Sequence, residues 1–310
     1  MSIPSDYPFT RYLSAKKTVD DRALNRSVWQ SLEAAVGLKK SKGDLKVLEI
    51  GSGIGTMIER SLEWGLLGRA DYTALDAMAE NSAEAASRLP AWARNNGYSI
   101  DSEASGVLRL YSDQQQVTVR LETADVFDFM ANNRGQRHWD LVIANAFLDL
   151  VDVASTLPKL LALLAPGGLF YFTINFDGAT ILQPEIDPFF DAQIEALYHE
   201  TMDQRIIGGR SSGDSHTGRH LFSHLRSPGI DLLAAGSSDW VVFAAPEGYP
   251  GDEEFFMHFI VHTIGSALED HLGLDRKKFS EWIETRHAQV EQGRLVYIAH
   301  QLDFLGRVGR

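Results

Sequence analysis

Apolar and polar positions change period several times along the chain, and those changes mark its elements. Between residues 20 and 37, apolar Leu24, Val28, Leu32, Ala35 and Val36 recur at three and four behind acidic Asp20 and Asp21, which predicts a helix ending at Gly37. Residues 46–50 form a short apolar run, 51–55 a glycine-rich break, and Met57, Ile58, Leu62 and Leu66 return to helical spacing. Strand, loop, helix is the reading. Residues 72–76 predict a second strand ending on an acid, and 79–95 a helix that Pro90 is expected to interrupt. Residues 107–111 and 117–121 alternate around polar 112–116, which predicts a hairpin added to the third strand. Residues 140–144 and 169–173 are buried-strand runs joined through helical 157–164 and the turn Pro166-Gly167-Gly168. Beyond Phe176 the pattern loosens into helical stretches near 188–206, 215–226, 252–272 and 276–290. Strands are predicted there at 230–234 and 295–302, with an apolar segment at 240–243 between them.

Strands that alternate with helices predict a doubly wound α/β sheet. No repeat, low-complexity tract or linker divides the chain, so the expected organisation is a single domain over 1–310. Within it we expect an N-terminal helical arm (1–40), a core (45–176), helical insertions (177–292) and a last strand (293–310). The chain has no cysteine, which excludes disulfides, thiolate metal sites and cysteine nucleophiles. Its net charge of −13 disfavours nucleic-acid partners. The imbalance is uneven, because residues 1–50 carry nine basic against six acidic side chains. No apolar run reaches the roughly 18 residues of a membrane span, and no basic segment precedes an apolar one at the start. The expectation is a cytoplasmic protein without membrane contact.

The chemistry concentrates in Glu49-Ile50-Gly51-Ser52-Gly53-Ile54-Gly55, three glycines on alternate residues between a strand and a helix. Residues without side chains let backbone approach a ligand closely, beside the unpaired N–H groups of a helix start. The dinucleotide fingerprint needs glycine where Thr56 stands, and the Gly-Lys-Ser/Thr of a phosphate loop is absent.

This segment, read from Val47 to Thr56, resembles the first motif of class I S-adenosylmethionine-dependent methyltransferases, and the resemblance continues in order through most of residues 45–176. It implies S-adenosylmethionine as cofactor and a Rossmann-like seven-stranded sheet with its last strand antiparallel. Asp76 matches the acid that bonds the ribose hydroxyls. Asp125 and Val126, in Ala124-Asp125-Val126-Phe127, match the adenine-binding segment. Asn145, in 143–148, falls on the fourth-strand motif that faces the reacting methyl group, and 164–169 matches the turn before the fifth strand. By the same resemblance Glu49, Gly51, Ser52, Gly53 and Gly55 border the cofactor. Glu49 either orients the loop or meets the methionine ammonium. The arm containing Tyr12, Lys16, Lys17, Asp20, Asp21 and Arg22 is expected to fold over the cofactor, with Arg22 on its carboxylate.

The acceptor is less defined. Asn145 is followed by Ala146-Phe147-Leu148 and not by Pro-Pro and an aromatic, which disfavours N6-adenine and glutamine-type acceptors. Asp149 and Asp152 read as an exposed turn and a helix cap. Seven of the ten histidines fall between 199 and 271, with His216, His220 and His224 spaced by four, and His258 and His262 likewise. Such spacing can serve metal ligation, base catalysis or packing. We assign no metal and carry His199, His216 and His262 as candidate bases. Asn145, Phe147 and Trp240 are the expected acceptor contacts. The reading is methylation of a small molecule at O, N or C; a protein or RNA acceptor, and a non-catalytic S-adenosylmethionine-binding protein, are the alternatives.

Overall fold

A computed structural model of the protein describes residues 3–38, 43–103, 106–135, 138–207 and 209–309. Residues 1, 2, 39 and 40 of the expected arm, and Arg310 of the last strand, lie outside them. In chain order the elements are α1 (Phe9–Ala23), α2 (Arg26–Gly37), β1 (Leu45–Ile50), α3 (Thr56–Glu63), β2 (Arg69–Asp76), α4 (Ala79–Asn95), β3 (Ser99–Glu103), β4 (Val107–Tyr111) and β5 (Gln116–Thr123). Next come α5 (Val126–Asn132), β6 (Trp139–Asn145), a 3-10 turn (Leu148–Leu150), α6 (Val153–Leu161), β7 (Leu164–Gln183) and α7 (Pro188–Asp203). The chain ends with β8 (Ile206–Ile207), β9 (Arg210–Ser211), α8 (Thr217–Leu225), β10 (Ile230–Ser237), β11 (Trp240–Val242), α9 (Glu253–Leu268), α10 (Arg276–Glu291) and β12 (Val296–Val308).

The main sheet runs β10-β12-β7-β6-β1-β2-β5-β4-β3, with β11 also on β12. β5, β2, β1, β6 and β7 are parallel, and β12 enters antiparallel between β7 and β10. Among the described residues the expected seven-stranded arrangement carries three more strands, ten in all. The additions are the β3–β4 meander at one edge and the division of the penultimate strand into β10 and β11. Both faces are covered, as a parallel sheet requires. Val47, Leu141, Ile143, Leu169 and Tyr171 point to the layer that contains α1, α2, α3 and α4; Leu48, Val142, Ala144, Phe170 and Phe172 point to that of α5, α6 and α8.

Three local expectations change. The predicted 20–37 helix is two helices, because Asn25 leaves helical geometry and its side chain caps α2 through Ser27 N and Val28 N. Pro90 does not end α4, since buried Ala85, Leu89 and Ala93 hold the helix to the sheet on both sides of it. β7 runs on to Gln183 because β12 pairs with it as far as Val296↔Gln183.

At Gly306 on β12 an added Cβ would fall 2.0 Å from Cζ of buried Phe170. Gly306→Ala is therefore expected to destabilise the fold by about 1–3 kcal/mol through overpacking. Urea unfolding checks this, and an unchanged midpoint would show that Phe170 has room to move.

Candidate functional site

Strand order reverses between β1 and β6, so the crevice at their carboxyl ends is where an open α/β sheet takes a ligand. A cavity of about 910 Å³ lies there. It is at the upper end of the roughly 300–1,000 Å³ of small-molecule sites. Gly51, Gly53 and Gly55 all have positive φ, at 66°, 54° and 83°. Gly51 and Gly53 line the cavity with Glu49 and Ser52. A Cβ on Gly51 would lie 3.1 Å from Phe147 Cδ2, and one on Gly53 3.2 Å from Leu13 Cδ1. Gly55 does not line the cavity. It lets the start of α3 approach α4, where a Cβ would meet Leu89 at 3.1 Å.

Asp76 ends β2 on the cavity wall and holds the loop. Its Oδ2 accepts from Gly53 N at 2.8 Å, and its Oδ1 accepts from Met78 N at 2.8 Å and Asn81 Nδ2 at 3.1 Å. Of the roughly four lone-pair sites of a carboxylate, that leaves about one. Asp125 lines the cavity too, and its Oδ1 caps α5 through Phe127 N (2.7 Å) and Asp128 N (3.2 Å). Val126 is beside it. Glu49 is buried and its Oε2 accepts from the Tyr72 hydroxyl at 2.8 Å; burial pushes its carboxyl up to about 8, against that bond and the nearby Arg60.

The same cavity continues to an aromatic end with Tyr12, Phe176, Tyr198, Trp240, Phe259 and Tyr297 on its walls. Tyr12 stacks on Phe259 with centroids 4.0 Å apart. Asn145 lies between the two ends, its Oδ1 accepting from Thr173 Oγ1 at 2.8 Å. A polar cluster that the sequence reading did not assign to the acceptor site faces the aromatic end. Asp20, 2% exposed, accepts from Lys16 Nζ (2.6 Å), Trp240 Nε1 (2.9 Å) and Asn145 Nδ2 (3.4 Å). Tyr12, Lys16 and Asp20 recur every four residues, so one face of α1 presents all three. That spacing was the available signal. Asp149 in its turn is half-buried instead of exposed, and Asp152 stands at the N-cap position of α6 without a side-chain capping bond; both line the cavity. Burial pushes the Asp149 carboxyl up to about 6, and its Oδ1 has no partner among the described residues.

The remaining candidates fall elsewhere. Arg22 forms a two-pronged pair with buried Glu253, at 2.5 and 2.7 Å, which joins α1 to α9 and takes its guanidinium away from the cavity. His262 stacks on Tyr7 at 4.0 Å. His216 precedes α8, with Nδ1 3.0 Å from Ser215 Oγ, and packs against Gly178. His199 is not on the wall, yet its Nε2 lies 3.0 Å from Oγ1 of Thr180, which is; burial lowers its pKa. Nδ1 of His258 lies 2.8 Å from Nδ1 of His287. Among the described residues, no three His, Cys, Asp or Glu side chains are grouped as metal ligands.

Comparison with solved structures finds several of similar extent. A putative type II methyltransferase from Anaeromyxobacter dehalogenans is 14% identical, with all of both chains covered and a TM-score of 0.45. The [4+2]-cyclase SpnF is 14% identical over 97% of this chain and 94% of its own, with a TM-score of 0.43. A putative sarcosine dimethylglycine methyltransferase from Galdieria sulphuraria is 13% identical over 89% and 85%, with a TM-score of 0.39. No curated protein matches the chain. The family model of the methyltransferase domain matches residues 21–201, more than half of the sequence and the whole of the parallel core. The chain therefore belongs to the methyltransferase family, as an S-adenosylmethionine-dependent enzyme.

Proposed function

We propose that the protein methylates a small-molecule acceptor held at the aromatic end of the cavity, with S-adenosylmethionine along the glycine loop. The observation that carries this reading is the continuity of one cavity from Gly51, Gly53, Asp76 and Asp125 to Tyr12, Trp240 and Tyr297. The residues present suit the cofactor: side-chain-free backbone at two loop positions, carboxylates at the ends of β2 and β5, and a buried carboxyl at the end of β1. When bound, the cofactor supplies an electrophilic methyl group on a cationic sulfur.

The chain's own residues bind, orient and exclude water. Asp76 has about one lone-pair site left, so it accepts from a single ribose hydroxyl while fixing the loop. Asp125 caps α5 with one oxygen and offers the other to an exocyclic amine, next to the backbone N–H of Val126. Glu49 faces the ammonium. α1 and α9 close over the reacting end, where alignment and a dry environment do most of the catalytic work. Among the described residues, no helix is long and apolar enough to cross a membrane.

Calorimetry is expected to show binding of S-adenosylmethionine and S-adenosylhomocysteine and none of NAD. Mass spectrometry of a metabolite extract incubated with isotopically labelled methyl donor then identifies the acceptor. Binding of NAD alone would overturn the cofactor assignment, and label appearing only in protein or RNA would overturn the acceptor class.

Asp76→Asn keeps the side-chain volume and removes one charged acceptor. It is expected to weaken S-adenosylhomocysteine binding by about 1.5–3 kcal/mol, the range for a hydrogen bond to a charged group. Equal affinity in the folded variant would assign the ribose to another residue.

Glu49 sets a pH dependence. Its carboxyl titrates near 8 in the free protein, so a bound ammonium, which favours the carboxylate, releases a proton at neutral pH. Affinity is expected to rise as pH climbs toward about 8 and then level, with both the slope and the proton release absent in Glu49→Gln. Stability of the free protein has the opposite trend: with the folded value raised, the Glu49 contribution is fully present below the ordinary carboxylate range and is lost as pH rises through about 8. A flat binding profile in the wild type would remove Glu49 from the cofactor site.

A further inference from the structure

Among the described residues Lys16 is the one lysine on the cavity wall, and neither the cofactor nor the fold accounts for all of its donors. It is 6% exposed, and its Nζ has a single hydrogen-bond acceptor among the described residues, Asp20 Oδ2 at 2.6 Å. An ammonium carries three donors, so two remain for the cavity. Nζ also lies 5.2 Å from the centroid of the Trp240 ring, over its face. The neighbouring carboxylate already accepts three bonds, from Lys16 and Asn145 on one oxygen of Asp20 and from Trp240 on the other, which leaves about one of its roughly four lone-pair sites. Asp20 thereby positions Lys16. The group offered to the acceptor is the cation.

From this arrangement we infer that the acceptor is a phenol-class hydroxyl compound, flat and aromatic, whose reacting oxygen binds at Lys16 as its oxyanion. The inference rests on the cofactor reading above and deepens it to a substrate class. A charge-assisted hydrogen bond in a dry cavity favours the anionic oxygen over the neutral hydroxyl. The same cation disfavours an ammonium, so an amine acceptor is the poorer fit. Walls at Tyr12, Phe259, Trp240 and Tyr297 suit a planar frame. Asn145 places this group beside the strand end on which the cofactor and acceptor ends meet.

The other titratable groups on the wall beyond the glycine loop and its carboxylates are Tyr12 and Asp20 on α1, Asp149 and Asp152 after β6, Tyr198 on α7, Arg205 behind it and Tyr297 on β12. Burial keeps the three phenols protonated, with Tyr198 pushed up to about 12 and Tyr12 and Tyr297 raised as well. None of them competes for the role of oxyanion. The chemistry balances without a further reagent. The acceptor hydroxyl gives its proton to solvent, and its oxygen lone pair forms the new oxygen–carbon bond. The departing sulfur keeps the electron pair of the bond that breaks.

The test uses 4-nitrophenol, whose ionised form is read by its absorbance, added to the full chain saturated with S-adenosylhomocysteine. The ratio of ionised to neutral probe is expected to be about tenfold or more higher when bound than free at the same pH, as for an acid beside an opposite charge. Lys16→Met should abolish the enrichment and Lys16→Arg should retain it, with S-adenosylhomocysteine affinity the same in all three. Lys16→Met leaves Asp20 buried without its cation, so the double variant Lys16→Met, Asp20→Asn provides a second, charge-neutral test if the single one fails to fold. Binding of the neutral phenol, enrichment that survives loss of Lys16, or binding of 4-nitroaniline where 4-nitrophenol does not bind would each overturn the inference. Loss of S-adenosylhomocysteine binding by the wild type is a separate result, and it overturns the cofactor reading on which this one stands.

Discussion

A carboxylate cannot be left dry without donors around it, and two buried carboxylates tie this protein's N-terminal helices to its sheet. Asp20, on α1, gathers Lys16 from its own helix, Asn145 from the end of β6 and Trp240 from β11. Asp303, fully buried on β12, accepts from Asn25 N at the junction of α1 and α2 and from Ile174 N in β7, both at 2.8 Å. Desolvating each ion costs several kcal/mol unless such bonds are made in full. Segments more than 200 residues apart in sequence are thereby held in one arrangement, and the cavity is the space they enclose.

The same bonds support backbone strain. Ala146 and Ile174 have φ of 51° and 56°, a left-handed conformation that is rare without glycine and rarer still for a β-branched residue. Both line the cavity. Ala146 N donates to Thr173 O at 2.9 Å, and Ile174 N is the group that Asp303 holds. A conformation costing on the order of 1–3 kcal/mol persists only where its surroundings over-determine it. Here the turn at Ala146 falls between Asn145 and Phe147, which both line the cavity, and the turn at Ile174 coincides with the register shift in the β7–β12 pairing between Leu302 and Phe304.

How much of this was legible follows from where each residue finds its partner. The parallel core was readable because strands buried on both faces are unbroken apolar runs, and the glycine loop because three alternate glycines between a strand and a helix stand out in the sequence. Asp76 was readable as a strand-end acid, but its bonds to Gly53, Met78 and Asn81 were not, since they depend on how the loop folds back. Arg22 and His262 were misplaced for a related reason. Glu253 and Tyr7, which engage them, are far from them in sequence, and nothing in local spacing announces either contact. The face Tyr12, Lys16, Asp20 was written in the spacing, though only the cavity reveals that it faces inward while Lys17 and Asp21 turn to Glu63 and Arg60.

The cavity is thus made of two kinds of material with different constraints. Its glycine-loop end is backbone at the carboxyl edge of β1, β2 and β5, where parallel topology leaves little freedom. Its aromatic end is side chains from α1, α7, α9, β11 and β12, and it is fastened shut on one side. Arg22 and Thr18 reach Glu253, Arg11 pairs with Asp252, and Tyr12 stacks on Phe259, all between α1 and α9. Access must come where lining residues are open to solvent, and these include apolar Phe9, Met78, Leu150 and Ile207 together with polar Asp125, Ser155 and Ser211. The open rim is therefore mixed in character, and the buried Lys16 and Asp20 lie behind it on a helix that the α1–α9 contacts hold in place.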